Sequence, residues 1–398
     1  WACDDNLYSY FLGAAMTNLM MEPKQKRTIA DFFENVKDPR VERTKRHKLI
    51  DIITIAICAV ICGAETWIAI ETYGQEKKEW LGKFLELSNG IPSHDTFARV
   101  FAKINPASFQ ECFLEWIKSI AQITNGEVIA IDGKQLRRSY NKKTSQRAIN
   151  MISAWAVSNR LVMGQLKVDN KSNEITAIPE LIKVLDISGC IVTIDAIGCQ
   201  KEIVKTIAKQ EGDYVIALKS NQGNLYQNVE QLFKEAISRR CRGFKSSSYS
   251  TRESGHGREE IRNYLMLTDI SNRIVDSQEW ENFQSIGMVE SVRIINGETT
   301  VETRYYISSL NRNAKKFGNA VRSHWGVENS LHWILDIGFN EDDCRIRKDN
   351  APQNFAVLRR IAVNLLGKDK SRKFGTKNKQ FLASMNNEYL ADILGLNL

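Results

Sequence analysis

No stretch of this 398-residue chain is apolar for long enough to cross a bilayer. The longest, from Leu49 to Ala64, falls short of the ~20 residues a spanning helix needs and carries Asp51 and Thr54. It reads as a buried helix. Zinc-ligand spacing is missing as well. Eight cysteines stand at 3, 58, 62, 112, 190, 199, 241 and 344, and although Cys58 and Cys62 form a C-x3-C pair, no second Cys or His pair accompanies them. They read as buried free thiols of a reducing compartment. A secretion leader is not evident either, because Asp4 and Asp5 precede the apolar segment Leu7 to Met21 where positive charge belongs. Repeats and low-complexity tracts are wanting. The expected setting is soluble and cytoplasmic. Met16, Met20 and Met21 follow Trp1, so residues 1–26 read as an extension upstream of the natural start.

What is present is ordinary globular material. Hydrophobic residues make up 43% and charged residues 26%, which supplies a core and excludes disorder as the main state. The length suits two or three domains at roughly 150 residues each. Against 47 Asp and Glu stand 55 Lys and Arg, a net charge of +8 with a pI near 8.9. That excess suits a polyanion without requiring one.

The periodicity changes along the chain. Residues 27–124 repeat apolar side chains at helical intervals, as in Phe109-Cys112-Phe113-Trp116-Ile117, after a basic run from Arg43 to Lys48. Within them Pro92-Ser93-His94-Asp95-Thr96 reads as a turn before a short helix with Arg99 and Lys103. That unit fits a DNA-reading element and a plain bundle corner equally well. From residue 125 to 240 the order changes to strand, hairpin, helix, strand, helix, strand, with buried strands at Glu127–Asp132, Cys190–Asp195 and Tyr214–Leu218. This predicts an α/β protein: a ribonuclease-H-like catalytic core with a mixed sheet, preceded by an α-helical N-terminal domain. Residues 241–312 read as a β-rich insertion, 313–350 as a returning core helix, and 351–398 as a basic helical tail.

Asp132 and Asp195 each end an apolar strand, and carboxylates at neighbouring strand ends occupy the crevice where open α/β sheets bind ligands. Paired acids there suit a hard divalent cation, and a third would complete two oxygen-ligand sites about 3.5–4 Å apart. In Arg322-Ser-His-Trp-Gly-Val-Glu-Asn-Ser-Leu-His332, the residues His324, Glu328 and His332 recur every fourth position on one helical stripe. Glu328 is the leading third acid. Asp336 and the cluster Glu341-Asp342-Asp343 are its rivals.

Several ordered motifs together resemble a bacterial insertion-sequence DDE transposase of the group that includes the Rhs-element H-repeat-associated proteins. They are Ile131-Asp132-Gly133-Lys134, Thr193-Ile-Asp195-Ala-Ile-Gly-Cys-Gln200, Tyr214 to Gln222, His256-Gly257-Arg258, and His324-Trp325-Gly-Val-Glu328-Asn329 with Leu331-His332-Trp333. The likeness runs from about residue 30 to about 390. It implies that Asp132, Asp195 and Glu328 form the catalytic, metal-holding triad with two Mg²⁺ or Mn²⁺ ions. It further implies that the insertion precedes the glutamate, that the partner is double-stranded DNA (element ends and target), and that a homodimer forms in a synaptic complex near the nucleoid. One departure stands out: where related enzymes carry Tyr, Arg and Lys around the glutamate, this chain has Val321, His324 and Leu335.

Other expected DNA contacts follow the strands. Lys134, Arg137, Arg138, Lys219 and Asn221 are candidate phosphate clamps beside the carboxylates, and Arg258, Arg322 and His324 are further candidates. Arg99 is the candidate base reader. The basic residues Lys368, Lys370, Arg372, Lys373, Lys377 and Lys379 read as a backbone contact or a solubilising tail. The leading function is cleavage at element ends and joining of 3′-hydroxyls to target DNA. The alternatives are an immobile DNA-binding descendant and a nuclease without strand transfer.

Overall fold

The computed structural model describes residues 27–140, 147–168, 173–255, 257–396 and 398. The expected N-terminal extension, Cys3 and His256 lie outside these. The described chain begins with helices: α1 (Ile29–Phe33), α2 (Leu49–Ile61), α3 (Trp67–Glu76), α4 (Lys78–Leu81), α5 (His94–Lys103) and α6 (Pro106–Ile120). Helix α2 is the apolar run noted above. Its β-branched residues would favour a strand in isolation, but it is buried on every side from Asp51 to Ile61, and tertiary packing decides. Helix α6 starts where Asn105 accepts the backbone N–H groups of Ala107 and Ser108, with Pro106 in the first turn.

Strands β1 (Val128–Leu136), β2 (Ile149–Ala156) and β3 (Leu161–Val168) form an antiparallel meander. Helix α7 (Glu174–Val184) leads to β4 (Ile191–Ile194), α8 (Lys201–Lys209) to β5 (Asp213–Leu218), and α9 (Gly223–Ser238) follows. Strands β1, β4 and β5 run parallel at the centre of the sheet. Their unbroken apolar sequences reflect burial on both faces. Next come β6 (Lys245–Gly255), β7 (Arg258–Thr268), β8 (Ser285–Ile295) and β9 (Glu298–Ser308). The β-rich segment continues the same sheet: β9 lies antiparallel to β5, and the order is β3-β2-β1-β4-β5-β9-β8-β7-β6. The chain is thus a mixed α/β protein, with a nine-stranded sheet among the described residues.

Helix α10 (Ala314–Gly326) returns across this sheet and is followed by α11 (Ala351–Lys368), α12 (Thr376–Met385) and α13 (Asn387–Leu394). Here the structure departs from the expected tail. Helix α11 is buried along most of its length and packs against α2, α5, α6 and β3. Its polar residues are bonded inward. Asn354 donates to the carbonyls of Phe101 and Ile104, and Asn364 both donates to and accepts from the backbone of Val162. Lys379, expected in a solvated tail, is buried with its Nζ on the carbonyls of Leu366 and Asp369. The seven described cysteines are free thiols, four of them buried.

Candidate active site

The site begins with register. Ile131 of β1 pairs with Ile194 of β4, so Asp132 and Asp195 follow side by side where the parallel pairing ends. Asp132 Oδ1 accepts the N–H of Gly133 at 2.9 Å, and Asp195 Oδ1 accepts that of Ile197 at 3.1 Å. Above them α10 is tethered by His324, whose Nδ1 lies 3.2 Å from Thr193 Oγ1 on β4. Beyond Gly326 the helix widens into π-helical turns, Val327–His332 and Ile334–Gly338. Such turns are rare and concentrate at functional sites. The stripe read from the sequence survives this widening. His324 meets β4, Glu328 lines the same cavity of about 410 Å³ as Asp195 and Lys219, and His332 Nδ1 stands 3.7 Å from Asp132 Oδ2.

Electrostatics tie the acids together. Burial pushes the Asp132 carboxyl up to about 7; the Gly133 amide opposes this, while the charges of Asp195, Glu328 and Glu174 add to it. Glu174, in the first turn of α7, is a fourth acid that sequence reasoning missed. Its own carboxyl is raised by burial and by Asp195. Gly133 makes its approach possible, since a Cβ there would stand 2.3 Å from Glu174 Oε1. Burial holds the His324 imidazole below its usual range, against the pull of Asp195. His332 is pushed down to about 4 by burial, with Lys134 and Arg360 adding to the effect. Both are neutral at pH 7. Among the described residues no Lys or Arg is ion-paired to Asp132, Asp195, Glu174 or Glu328, and no three acid, His or Cys side chains already form a metal cage.

The rival third acids are occupied elsewhere. Glu341 is fully buried against Arg359 and Arg360, the first at 3.7 Å. Asp336 and Asp342 hold Lys134 Nζ at 2.7 and 2.6 Å, while Asp342 also pairs with Arg137 and Asp343 with Arg138. Lys134 is therefore enclosed, its side chain only 9% exposed. Asn221 donates to the carbonyl of Ala196, bracing the turn after Asp195. Lys219 is exposed at the cavity. Arg258 pairs with Glu260 and Arg322 with Glu253 on the β7 side of α10. Arg99 is exposed on α5. Val321 and Leu335 are buried apolar residues.

Residues 124–365 match the family model described as the transposase DDE domain. The chain belongs to the DDE transposase family. A companion model, of segments associated with that domain, matches residues 30–117. This transposase-family chain is 45% identical over 364 residues to YhhI of Escherichia coli K12, provisionally named an H repeat-associated transposase, covering 90% of this chain and 95% of that one. It is 40% identical to YncI of Escherichia coli O157:H7, also provisionally named a transposase, over 92% of this chain and 94% of the other. YbfQ of Escherichia coli K12, named an inactive transposase, shares 49% identity over 57 residues, 14% of this chain and 68% of YbfQ. The solved piggyBac transposase synaptic complex with hairpin DNA aligns with a TM-score of 0.40 at 10% identity, covering 92% of this chain and 77% of that one.

Proposed function

We propose that this chain is a divalent-metal-dependent DNA strand-transferase with Asp132, Asp195 and Glu328 as its acids, on a ribonuclease-H-like core. The observation that carries this is the convergence of these carboxylates where the parallel pairing of β1 and β4 ends and on the turns after α10, with Asp132 pushed up to about 7 by burial, to which the charges of Asp195 and Glu328 add, and with no described basic side chain paired to them. Such a set of hard oxygen donors fits Mg²⁺ or Mn²⁺. A cation would offset the repulsion and draw the acids into the cage they lack on their own. When bound it supplies Lewis-acid activation of the attacking water or 3′-hydroxyl and stabilises the leaving oxygen. His324 holds Glu328 over β4, His332 stays neutral beside Asp132, and Glu174 is positioned to assist the acids from α7.

Double-stranded DNA is the proposed partner. Lys219, Arg137, Arg138, Arg258 and Arg322 would contact phosphates, whereas Lys134 would brace β1 against the segment after the π-helix. Arg99 on α5 would read an element end, giving the helical N-terminal region its DNA-binding role. A homodimer would bring two ends together at the nucleoid in the cytoplasm. The buried Val321 and Leu335 take no part in this chemistry.

The test replaces Asp132 with Asn, Asp195 with Asn and Glu328 with Gln, one at a time, and follows Mn²⁺-dependent nicking and joining of DNA taken from the borders of the gene. Each change should lower the rate by on the order of 10²–10³-fold while DNA affinity and circular dichroism stay near those of the unchanged chain. Normal nicking by Glu328→Gln together with an inert Asp336→Asn would move the third acid.

A further inference from the structure

On one face of the insertion the strands are in register so that Glu260 of β7 stands opposite Arg293 of β8, with Arg258 and Arg262 two residues to either side. The Glu260 carboxylate, buried in the sheet, holds all three guanidinium groups: Arg293 Nε at 3.0 Å, Arg258 Nε at 3.3 Å, and Arg262 through Nη2. Arg262 also pairs with Glu253 at 3.0 Å, which Arg322 shares, and Arg304 pairs with Glu302, so the five arginines lining this face meet three carboxylates and positive charge is left over. The surplus is directed outward, because the side chains of Arg258 and Arg293 are about half exposed. Helix α10 covers the inner part of this face, where Phe317 packs on Tyr264 and Tyr306, and leaves the arginine end open. The result is a cavity of about 280 Å³. It shares Arg304 and Trp325 with the cavity of Asp195 and Glu328, and Arg304 lies over the Trp325 ring, 4.6 Å from its centre.

We infer that this cavity is a phosphodiester cradle for an unpaired DNA strand running away from the acids, with Glu260 presetting the arginines and Trp325 offering a base a surface to stack on. This rests on the active-site reading and extends it. Guanidinium groups suit phosphate because their planar donors match its oxygens. A positive groove joined to an aromatic ring is the general solution for single strands. With volumes of about 410 and 280 Å³, the two adjoining cavities are on the scale of single nucleotides rather than of a duplex.

The experiment measures binding of the full chain in EDTA to a duplex with a short single-stranded tail and to the same duplex with blunt ends. The unchanged chain should favour the tailed DNA about tenfold. The double change Arg258→Ala with Arg293→Ala should abolish that preference and lower the slope of log affinity against log salt on the tailed DNA by about 0.7 for each phosphate left without its arginine, while blunt-duplex binding loses no more than the single phosphate contact of Arg258. The variant pair Arg258→Lys with Arg293→Lys keeps the charge and should retain most of the slope, which separates the cradle from a folding defect. Equal weakening on both DNAs, or none on either, would overturn the cradle. Because no metal is present, the outcome is independent of cleavage: a chain that nicks DNA but shows no tail preference loses this inference alone, and one that keeps the preference while the acid variants nick normally loses the catalytic assignment instead.

Discussion

Asp132 is held in a place that costs the metal-free protein stability. Its folded carboxyl titrates near 7, above the ordinary value of 3.8 that the unfolded chain adopts, so the folded state binds its proton more tightly. The penalty on the ionised form is therefore complete above about pH 7, shrinks as the pH falls, and is gone below about pH 4. Asp132→Asn, which keeps the acceptor for the Gly133 amide, should stabilise the protein in EDTA at pH 8 by about 2–4 kcal/mol, with the gain closing toward pH 4. Denaturant titrations at a series of pH values decide this, and added Mg²⁺ should stabilise the unchanged chain more than the variant. Both aspartates stand out in the sequence because each follows a buried apolar run, although β1 continues past Asp132 to Leu136 and only its parallel pairing with β4 ends there. Glu174 does not stand out. An acid in the first turn of a helix reads as a complement to the helix dipole, and its true contact depends on a distant glycine.

At the scale of elements, α10 is fixed by one tight approach. Gly287 of β8 leaves room for the Phe317 ring; a Cβ there would stand 2.2 Å from Phe317 Cζ. Gly287→Ala should destabilise the fold by about 1–3 kcal/mol, the usual cost of overpacking. It should also slow the proposed nicking, because the displaced helix carries His324 and leads directly into the turn that holds Glu328. Phe317→Leu in the same chain should restore part of both, and a double-mutant cycle on denaturation midpoints would show the coupling. The strands around this approach were legible from apolar runs. A local mark of the β8–β9 hairpin, Asn296-Gly297 with both residues at the positive φ of a tight turn, was legible too but went unread. The π-helical turns were not legible, since an interval of four residues serves an α-helix equally well. Nor was the union of the insertion with β5, because pairing between distant strands leaves no local mark.

Across the whole molecule, α11 is the member around which the N-terminal helices and the sheet are assembled. The sequence disguised it. Residues 351–398 read as a basic helical tail, yet Asn354, Arg359, Arg360 and Asn364 are all buried, each with a partner in another segment. Glu341→Gln should leave Arg359 and Arg360 buried without a counter-charge and cost about 3–5 kcal/mol, whereas Glu341→Gln with Arg360→Met should cost less than the two changes summed. Denaturant midpoints measure both. Synthesis order gives the same architecture another meaning. Because β9 must pair with β5 before α10 can lie across the sheet, Glu328 joins Asp132 and Asp195 only after every strand has emerged from the ribosome. The apolar surface of α2 waits longer still for its cover, until α11 is made. A chain abandoned before that point carries an open core and goes to aggregation or proteolysis, and in it Glu328 never meets the two aspartates.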